Sequence, residues 1–461
     1  MCGVFGIHAP GRDVARVTHF ALHALQHRGQ ESAGIAVSDR GRLTVLRDMG
    51  LVTQVFSEQK LRGLRGNLAI GHTRYSTTGS TQWANAQPIV QHGRVRTVAL
   101  GHNGNLTNAG ELRDELAADG VRLTSTSDTE LIAALIAYDP APLEDAVANA
   151  MQKLEGAYSV TALSEGKLLA FRDPYGFRPL CLGRLDNDWV IASETCALDL
   201  LGAEYEREVE RGELVVTDEG GCRSVRATAP AANAALCIFE FFYLARPDSR
   251  LDGIQAHAAR VRMGRRLAAE APVDADFVLP IPDSGTPAAI GFSRASGIPF
   301  SEGLIKNRYV GRTFIQPDQG LRQQGIKLKF NPLAEVAGRR VVVVDDSIVR
   351  GNTTRQLVAM LFEAGAAEVH VRVSSPPIVG PCFYGIDFAG EDELIAAGRT
   401  VEGVRRHIGA TSLAYLSLEG LQEATSRPES ELCRACLTRD YPTRVPRELR
   451  VEKLRFETAR T

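Results

Sequence analysis

The chain has 461 residues, of which 44% are hydrophobic and 23% are charged, and its formal net charge at pH 7 is −2. This composition is typical of a globular protein with two or three domains, and a charge so close to zero excludes a general basic field that attracts nucleic acid or membrane. The sequence has neither an apolar run of membrane-spanning length nor a secretory signal, so we expect a cytoplasmic protein without a nucleic-acid or membrane partner.

The first predicted strand begins with a thiol in an unusual place, because Cys2 directly follows the initiator methionine in MCGVFGIHAP. If Met1 is removed, the α-amine of Cys2 has a pKa near ~8 and can take the proton of the thiol on the same residue. A thiol at a chain end can also have no role, because terminal residues are often disordered. Cys2 is therefore a candidate nucleophile that the rest of the chain must support.

Residues 2–230 form the first predicted domain. Its apolar runs of strand length, such as LAIGHTRYST, TVALGHNGNL and KLLAFRD, are bounded by residues that favour turns. Two stretches have helical spacing: DVARVTHFALHALQHRG, which ends in glycine, and SDTELIAALIAY, which begins with capping residues. Strands interrupted by separate helices predict an α+β fold in layers.

Residues 231–440 form the second predicted domain, after an Ala- and Pro-rich boundary at 226–236. Strand–turn–helix units follow, and the clearest is RRVVVVDDSIVRGNTTRQLVAMLFEAGA. A nearly continuous run of valines is typical of a strand buried on both faces in a parallel sheet, so this domain is predicted to be α/β. Residues 441–461 are charged and are predicted to form a helical tail.

Polar residues beside glycines in the first domain are candidates for a site around Cys2. Attack of a thiolate on an amide needs donors for the developing oxyanion, which Asn103 and the backbone of Gly104 can supply. Arg74 can bind a carboxylate through two hydrogen bonds, and Asp128 can pair with an ammonium group. Each also has an ordinary explanation, since HNGN can be a hairpin turn, SDTE a helix cap, and a loop arginine or aspartate simply solvated.

Taken together, CGVFGI, LQHRGQESAGI, GHTRYSTTG, GHNGNL and SDTE resemble, in order and spacing, the glutaminase domain of the class II, N-terminal-nucleophile glutamine amidotransferases. The resemblance implies a layered αββα domain that releases ammonia from the side-chain amide of glutamine. The site residues that it implies are Cys2 as the nucleophile, Asn103 and Gly104 as the oxyanion hole, Arg74 and Asp128 as ligands of the glutamine backbone groups, and Arg28 and Gly29 close to the nucleophile.

The second domain has its own candidate site in VVVVDDSIVRGNTT (341–354). Asp345 and Asp346 end a predicted strand there, before a Gly- and Thr-rich turn and a helix that begins near Thr353. Backbone N–H groups at such turns bind anions, and ligands of open α/β sheets bind beyond the carboxyl ends of the strands. A phosphate in the turn, with ribose hydroxyls or Mg²⁺ on the acidic pair, is chemically consistent; the alternative is a capped turn with a solvated acidic pair.

Two further stretches accompany this turn. In PIPDSGTPAAIG (280–291), Asp283, Ser284 and Gly285 can hold a second anion such as a diphosphate. The segment 306–329 has six basic residues against one acidic residue, which predicts either a lid over a polyphosphate or a solvated loop. Its basic residues are Lys306, Arg308, Arg312, Arg322, Lys327 and Lys329.

These stretches resemble type I phosphoribosyltransferases and, with both halves in order over residues 2–440, the amidophosphoribosyltransferases. The resemblance implies that ammonia from glutamine attacks C1 of phosphoribosyl pyrophosphate (PRPP), giving 5-phosphoribosylamine, glutamate and pyrophosphate in the first committed step of purine (IMP) biosynthesis. It also implies an apolar passage for ammonia between the sites. The PRPP ligands that it implies are Asp345, Asp346, Ser347, Arg350, Gly351, Thr353, Thr354, Ser284, Lys306 and Arg312, with Ser284, Asp345 and Asp346 also facing Mg²⁺.

Four of the eight cysteines are candidate metal ligands. Cys433 and Cys436 have a two-ligand spacing, and with Cys237 and Cys382 they leave zinc, a [4Fe–4S] cluster and ordinary buried thiols open. The resemblance favours the cluster, which one branch of the amidophosphoribosyltransferases carries on cysteines placed in this way, with a structural or oxygen-sensing role. That branch often has a short propeptide, whereas here only Met1 precedes Cys2.

The resemblance also implies feedback inhibition by purine nucleotides and assembly as a homotetramer or homodimer. Two other functions are alternatives. A class II amidotransferase with a different ammonia acceptor is disfavoured by the 341–354 turn and the basic segment. A catalytically inactive PRPP-binding regulator is disfavoured by the complete set of Cys2, Arg74, Asn103 and Asp128.

Overall fold

The computed structural model describes residues 2–76, 80–307, 309, 327–387 and 390–445. Within these ranges, a half built from two antiparallel sheets is followed by a half built on a parallel sheet. None of the helices described there is both long and apolar enough to cross a membrane.

The first half runs from β1 to β13. Its strands are β1 (Gly3–His8), β2 (Ser32–Asp39), β3 (Arg42–Met49), β4 (Leu68–Arg74), β5 (Ile89–His92), β6 (Thr97–Leu106), β7 (Gly156–Ser164), β8 (Lys167–Arg172), β9 (Cys181–Leu185), β10 (Asp188–Ala192), β11 (Glu204–Glu208), β12 (Glu213–Asp218) and β13 (Gly221–Arg226). Its helices are α1 (Val14–Ala24), α2 (Val52–Val55), α3 (Glu58–Arg62), α4 (Ala109–Ala118), α5 (Asp128–Tyr138), α6 (Leu143–Lys153) and α7 (Thr195–Leu201).

These strands form two sheets, in the orders β11-β9-β10-β1-β4-β2-β3 and β13-β12-β8-β7-β6-β5. The sheets pack face to face through apolar side chains such as Val4 and Ile70 from one and Leu168 and Val215 from the other. Helices α1 and α7 cover the outer face of the first sheet, and α4, α5 and α6 cover that of the second. Each sheet therefore buries both faces, and the predicted αββα arrangement is confirmed.

One local detail differs from the sequence-based expectation, and one is borne out. The helix predicted to run to Gly29 ends at Ala24, and a tighter 3₁₀ turn, Gln26–Arg28, follows it. That turn brings the side chain of Arg28 to the start of β1, where it meets the carbonyl group of Cys2. The strand predicted over TVALGHNGNL is confirmed, because Thr97–Leu106 is one continuous strand paired with β5 and β7, and HNGN is therefore not a hairpin turn.

The second half contains shorter strands and longer helices. Its strands are β14 (Leu236–Cys237), β15 (Arg250–Leu251), β16 (Ile254–Gln255), β17 (Phe277–Pro280), β18 (Leu304–Lys306), β19 (Phe330–Pro332), β20 (Arg340–Asp345), β21 (Glu368–Val373), β22 (Ser412–Tyr415) and β23 (Leu432–Cys433). Its helices are α8 (Ala256–Glu270), α9 (Thr286–Ser296), α10 (Asn352–Glu363), α11 (Val401–Ile408), α12 (Leu418–Thr425) and α13 (Ala435–Thr438).

A four-stranded parallel sheet in the order β17-β20-β21-β22 is the centre of this half. The valines of β20 alternate between two cores, one shared with α8 and α9 and the other with α10 and α11. Burial on both faces explains why this strand is a continuous apolar run, and it confirms the predicted α/β class.

The predicted boundaries fall where regular structure is interrupted. β13 ends at Arg226, and residues 227–235 have no regular secondary structure. The limits 2–230 and 231–440 stay predictions. Most of the predicted helical tail, residues 446–461, lies outside the described residues, and the described residues 441–445 contain no helix.

The close packing of α8 on α9 gives a stability prediction. A Cβ at Gly264 would lie 1.8 Å from the carbonyl oxygen of Ala288, so Gly264→Ala must push the helices apart. Although alanine favours a helix by ~1 kcal/mol over glycine, overpacking against backbone costs about 1–3 kcal/mol, and we expect a net loss of stability. Thermal unfolding measures it, with Gly398→Ala, where a Cβ meets only open space, as the control. An unchanged unfolding temperature for Gly264→Ala would contradict the packing described.

Candidate active sites

Cys2 lies at the start of β1, which is paired with β4 on one side and with β10 on the other. Only 6% of the residue is exposed, and its Sγ lies 3.5 Å from the carbonyl oxygen of Tyr75. Its backbone nitrogen donates a hydrogen bond to Oδ1 of Asn103 at 3.1 Å. The candidate nucleophile is thus held in place at both backbone and side chain, while Met1 lies outside the described residues.

Asn103 and Gly104 belong to β6, the strand that reaches Cys2. Asn103 is fully buried, and its Nδ2 has no hydrogen-bond partner within the described part of the chain. A buried donor without a partner costs ~1–3 kcal/mol unless a ligand satisfies it. Gly104 has a φ of +156°, and a Cβ there would lie 2.0 Å from the carbonyl oxygen of Ala157, so this position requires glycine. An unsatisfied donor beside a thiol is what an oxyanion site needs.

Arg28 lies on the other side of Cys2 and is buried completely. Its Nε donates to the carbonyl oxygen of Cys2 at 2.9 Å, and its two Nη atoms pair with Glu194 and Glu240. Burial alone would lower the pKa of Arg28, but Glu240 and Glu194 more than offset it and raise the pKa above its ordinary value. The turn that carries Arg28 also presses Gly29 against β4, where a Cβ would lie 2.6 Å from backbone atoms of Arg74.

Arg74 and Asp128 each lie where a strand of the first half ends. Arg74 ends β4, and its guanidinium lies 3.2 Å from the carbonyl oxygen of Ser80 and 3.5 Å from a carboxylate oxygen of Glu31. Asp128 begins α5 and accepts from the N–H of Leu106 at 3.0 Å. Burial raises the pKa of Asp128, but the neighbouring His102, the N–H of Leu106 and Arg74 together lower the pKa overall. A carboxylate kept ionised in a buried place can receive a cationic group.

Several residues of this site were not singled out from the sequence. Glu31 accepts from the backbone N–H and the hydroxyl of Ser76, at 3.0 and 2.9 Å, and so anchors the segment that follows Arg74. Glu194 and Glu240 hold Arg28. Glu31 stands within the quoted motif LQHRGQESAGI, which was a usable signal, whereas no local pattern marked Glu194 or Glu240.

The acidic pair of the second half lies at the carboxyl edge of the parallel sheet. Asp345 is the last residue of β20, and both Asp345 and Asp346 are buried. The hydroxyl groups of Ser284 and Ser347 donate to Asp346, so the PDSG turn and the acidic pair meet. Burial, and for Asp345 also the charge of Asp346, raises the pKa of both carboxyl groups. Two adjacent buried carboxyl groups are a donor set that suits a cation.

The turn after the acidic pair leads into α10, whose N-cap is Gly351 with a φ of +76°. Because Gly351 has no side chain to cap the helix, the first-turn N–H groups around Thr353 and Thr354 can face an anion. Arg350, in contrast, is paired with Glu393. Lys306 is paired with Asp283 of the PDSG turn. Arg312 and most of the segment 306–329 lie outside the described residues.

The four candidate cysteine ligands lie on three segments of the second half. Cys237 and Cys433 are register partners in the parallel pair β14–β23, and Cys436 follows in α13. Cys382 accepts from the N–H groups of Tyr384 and Ile386, each at 3.4 Å. Burial raises the pKa of the Cys237 thiol to about 11, and that of Cys433 and Cys436 too, each influenced by the other thiols. Within the described residues, however, no three His, Cys, Asp or Glu side chains form a group in metal-binding geometry.

Comparison with known proteins identifies relatives of both halves and of the whole chain. A family model for the glutamine amidotransferase domain matches residues 72–200, and one for the phosphoribosyl transferase domain matches residues 251–375. The amidophosphoribosyltransferase of Mycobacterium tuberculosis is 53% identical, covering 98% of this chain and 88% of that protein. That of Archaeoglobus fulgidus is 50% identical, covering 97% of this chain and 99% of that protein.

Two solved structures are similar over almost their full length. The glutamine PRPP amidotransferase from B. subtilis complexed with ADP and GMP has a TM-score of 0.91 and 46% identity, covering 97% of this chain and 98% of its own. A structure of the allosteric regulatory enzyme of purine biosynthesis has a TM-score of 0.92 and 45% identity, covering 97% of both chains.

A buried histidine beside the first site gives a prediction for stability against pH. His72 is fully buried, its Nε2 lies 3.0 Å from the carbonyl oxygen of His102, and burial lowers its pKa to about 3. Between that pKa and an unfolded pKa of ~6.5, only the unfolded state binds the proton, so stability falls as the pH drops through this window. The slope contributed by His72 is about 1.4 kcal/mol per pH unit.

His72→Gln keeps an amide donor for that carbonyl group and removes the titration. We expect the unfolding free energy measured by urea titration to fall less steeply between pH 6 and 5 than in the unmodified protein, and the exposed His92→Gln to leave the slope unchanged. Equal slopes in His72→Gln and the unmodified protein would show that His72 titrates alike in the folded and unfolded states, and so would contradict the lowered pKa.

Proposed function

The chain belongs to the amidophosphoribosyltransferases, the glutamine-dependent enzymes of the first step of purine biosynthesis, and we propose that its two candidate sites each carry out one half of that reaction. Glutamine is hydrolysed at Cys2, and the ammonia formed replaces pyrophosphate at C1 of PRPP to give 5-phosphoribosylamine. The observation that carries the first assignment is the buried, unsatisfied Nδ2 of Asn103 beside Cys2.

In the first half-reaction, removal of Met1 exposes the α-amine of Cys2. The amine takes the thiol proton, and the thiolate attacks the side-chain carbonyl carbon of glutamine. Nδ2 of Asn103 and the backbone N–H of Gly104 donate to the oxyanion. The C–N bond breaks, the leaving nitrogen takes the proton back and departs as ammonia, and water hydrolyses the thioester to glutamate and the free thiol. Because the nitrogen of Cys2 donates to Oδ1 of Asn103, one side chain orients both the base and the oxyanion.

Binding of glutamine is assigned to charged groups around the thiol. Arg74 can bind the α-carboxylate through two hydrogen bonds, and the ionised carboxylate of Asp128 can pair with the α-ammonium. Arg28 and Gly29 are assigned to positions close to Cys2. Arg28 donates to the carbonyl oxygen of Cys2, and Gly29 lets the backbone approach Arg74.

In the second half-reaction, PRPP lies at the carboxyl edge of the parallel sheet. Asp345 and Asp346 face the ribose, and the turn 347–354, with Ser347, Arg350, Gly351, Thr353 and Thr354, holds the 5-phosphate at the start of α10. Ser284 and Lys306 hold the pyrophosphate, together with Arg312. Mg²⁺, when bound, offsets charge on the departing pyrophosphate, and the oxygens of Asp345, Asp346 and Ser284 are the donors it prefers. The lid and the ammonia passage stay predictions.

We also propose that Cys237, Cys382, Cys433 and Cys436 hold a [4Fe–4S] cluster. One support is that the four thiols, which are buried or half-buried, interact electrostatically, so that burial and then the other three thiols raise the pKa of Cys436. The other support is that the buried guanidinium of Arg178 interacts with Cys237 and Cys382, where its charge would offset that of thiolates. The cluster would join the start of the second half to its end and so have a structural role. No step of the reaction passes through it.

Regulation and assembly complete the proposal. A related enzyme was solved with ADP and GMP, which supports purine nucleotides as feedback inhibitors. A homotetramer or homodimer and a cytoplasmic location stay predictions. With the family established, neither a different ammonia acceptor nor an inactive regulator is favoured by an observation on this chain.

The assignment of the first site is tested by measuring glutamate and pyrophosphate released from glutamine with Mg²⁺ and PRPP. We expect equal amounts of the two products, a loss of at least ~10³-fold in Cys2→Ser, and a loss of about 10²–10³-fold in Asn103→Ala. With ammonium chloride in place of glutamine, both variants should release pyrophosphate at the unmodified rate, because ammonia bypasses the thiol. Cys2→Ser that still hydrolyses glutamine would overturn the assignment.

The second site is tested with Asp346→Asn. This variant should lose at least ~10²-fold in pyrophosphate release with glutamine and with ammonium chloride alike, because both nitrogen sources need bound Mg²⁺–PRPP. The exposed Asp392→Asn is the matched control and should behave as the unmodified protein. If pyrophosphate release fell with glutamine but not with ammonium chloride, Asp346 would not be part of the PRPP site.

The cluster is tested by iron, sulfide and zinc analysis of protein purified without oxygen. We expect about four irons and four sulfides per chain, as the cluster formula requires. Cys433→Ser should lose them, and Cys222→Ser, which changes a thiol of the first half, should keep them. Zinc in place of iron, or no metal at all, would contradict the proposal.

A further inference from the structure

Glu240 is a fully buried carboxylate that neither half-reaction has so far used. It begins a π-helical turn, Glu240–Leu244, in the second half of the chain, shortly after Cys237. A buried charge is tolerated only with good partners, so the partners of Glu240 indicate what it does.

The first partner is Arg28, which Glu240 meets with both carboxylate oxygens. Nη2 of Arg28 donates to Oε1 at 2.8 Å, and Nη1 donates to Oε2 at 3.1 Å. Two parallel hydrogen bonds fix the plane of a guanidinium as well as its position. The remaining Nε of Arg28 donates to the carbonyl oxygen of Cys2 at 2.9 Å. A single side chain therefore separates Glu240 from the residue that carries the thiol.

The second partner is Arg178, which ties Glu240 to the oxyanion strand. Nη1 of Arg178 lies 3.5 Å from Oε1 of Glu240, while its Nε and Nη2 donate to the carbonyl oxygen of Tyr384 at 3.0 and 2.6 Å. The next residue, Gly385, packs so tightly on Gly104 that a Cβ would lie 3.0 Å from the carbonyl oxygen of Gly104. Glu240 is thus linked through Arg28 to Cys2, the nucleophile, and through Arg178 to the loop that packs on Gly104, the proposed oxyanion donor.

The backbone of the turn that carries Glu240 is also fixed. Arg260 of α8 donates to the carbonyl oxygens of Phe241 at 2.8 Å and Ala245 at 2.7 Å. These bonds satisfy carbonyl groups around the irregular turn and prevent Glu240 from following Arg28 if Arg28 shifts. The carboxylate is a rigid support rather than a mobile counterion.

We propose that Glu240 is a positioning residue for glutamine hydrolysis, which acts by fixing Arg28 against the carbonyl group of Cys2. A terminal residue has no preceding peptide to restrain it, and chain ends fray unless they are tied down. Cys2 is tied at its nitrogen by Asn103, at its carbonyl oxygen by Arg28 and at Sγ by the carbonyl oxygen of Tyr75, so the bond from Arg28 is one of the three contacts that position the thiol. This inference deepens the proposed function and rests on Cys2 being the nucleophile.

The test compares Glu240→Gln with the exposed Glu206→Gln, which removes the same charge from β11. Gln has the shape of Glu but turns an NH₂ group toward the guanidinium, so Arg28 loses its two-fold bond. A small misplacement of a reacting group costs up to about 10²-fold in rate, and we expect kcat for glutamine hydrolysis to fall ~10–100-fold with KM changed less than ~3-fold. Pyrophosphate release with ammonium chloride should match that of Glu206→Gln.

A second measurement reports the thiol directly. The rate at which iodoacetamide alkylates Cys2, followed by mass spectrometry of the N-terminal peptide, should fall in Glu240→Gln and not in Glu206→Gln. Glu240→Asp keeps the charge but is one methylene shorter, so it should recover part of kcat. If Glu240→Gln does not fold, Glu240→Asp decides, and the proposal requires its kcat to lie below that of the unmodified protein at unchanged KM.

Three results would overturn the proposal: an unchanged kcat, a rise in KM alone, or a parallel loss with glutamine and with ammonium chloride, which marks a general structural role. Failure of the proposed function is distinguishable, because Cys2→Ser would then retain glutamine hydrolysis whatever Glu240→Gln does.

Discussion

Arg28 is a cation without access to solvent, and three parts of the chain converge on it. Its hydrogen bonds reach the carbonyl of Cys2, a carboxylate of the first half in Glu194 and one of the second half in Glu240. Removing one partner of such a buried pair costs about 3–5 kcal/mol, so the two halves are held together where the thiol lies. The precision of the first site thus depends on contacts that neither half makes alone.

Close backbone approaches shape the pocket around that cation. Gly29 and Gly104 are the positions where a side chain has no room, against Arg74 and Ala157 respectively. Gly385 brings a loop of the second half onto Gly104 in the same way. Backbone in direct contact leaves little freedom to deform, because protein interiors are packed to crystal density. If Gly104 donates to the oxyanion as proposed, a backbone supported in this way needs no reorganisation during the reaction.

The two sites differ in what surrounds the negative charge of their carboxylates. Asp128 and Glu194 of the first site face His102, His27 and Arg28, and their pKa values are lowered. Asp345 and Asp346 of the second site stand beside each other, and burial raises the pKa of both. Cations of the protein balance the carboxylates of the first site, whereas in the proposed function the acidic pair of the second site faces Mg²⁺.

The sequence determined the features that local pattern encodes. The valine run of β20 predicted a strand buried on both faces, the acidic pair and the glycine-rich turn predicted an anion site at its end, and Cys2 with Asn103 and Gly104 predicted a nucleophile with oxyanion donors. Strand periodicity, caps and turn residues act over a few neighbours, so they can be recognised one segment at a time. Domain limits and the ligand roles of these residues stay predictions.

Tertiary structure alone decided which groups hold the thiol in place. Arg28 meets Glu194 across 166 residues of sequence and Glu240 across 212, and Arg178 meets the carbonyl of Tyr384 across 206. Arg28 stands in a recognisable motif, but Glu194, Glu240 and Arg178 carry no local signal, because charged residues usually face solvent. The alternative hairpin turn at HNGN is excluded in the same way, because residues 102–105 pair with β7 and continue the strand that the run TVALGHNGNL predicts. Contacts between distant segments form only when the whole chain is folded, and they fix the geometry of the site.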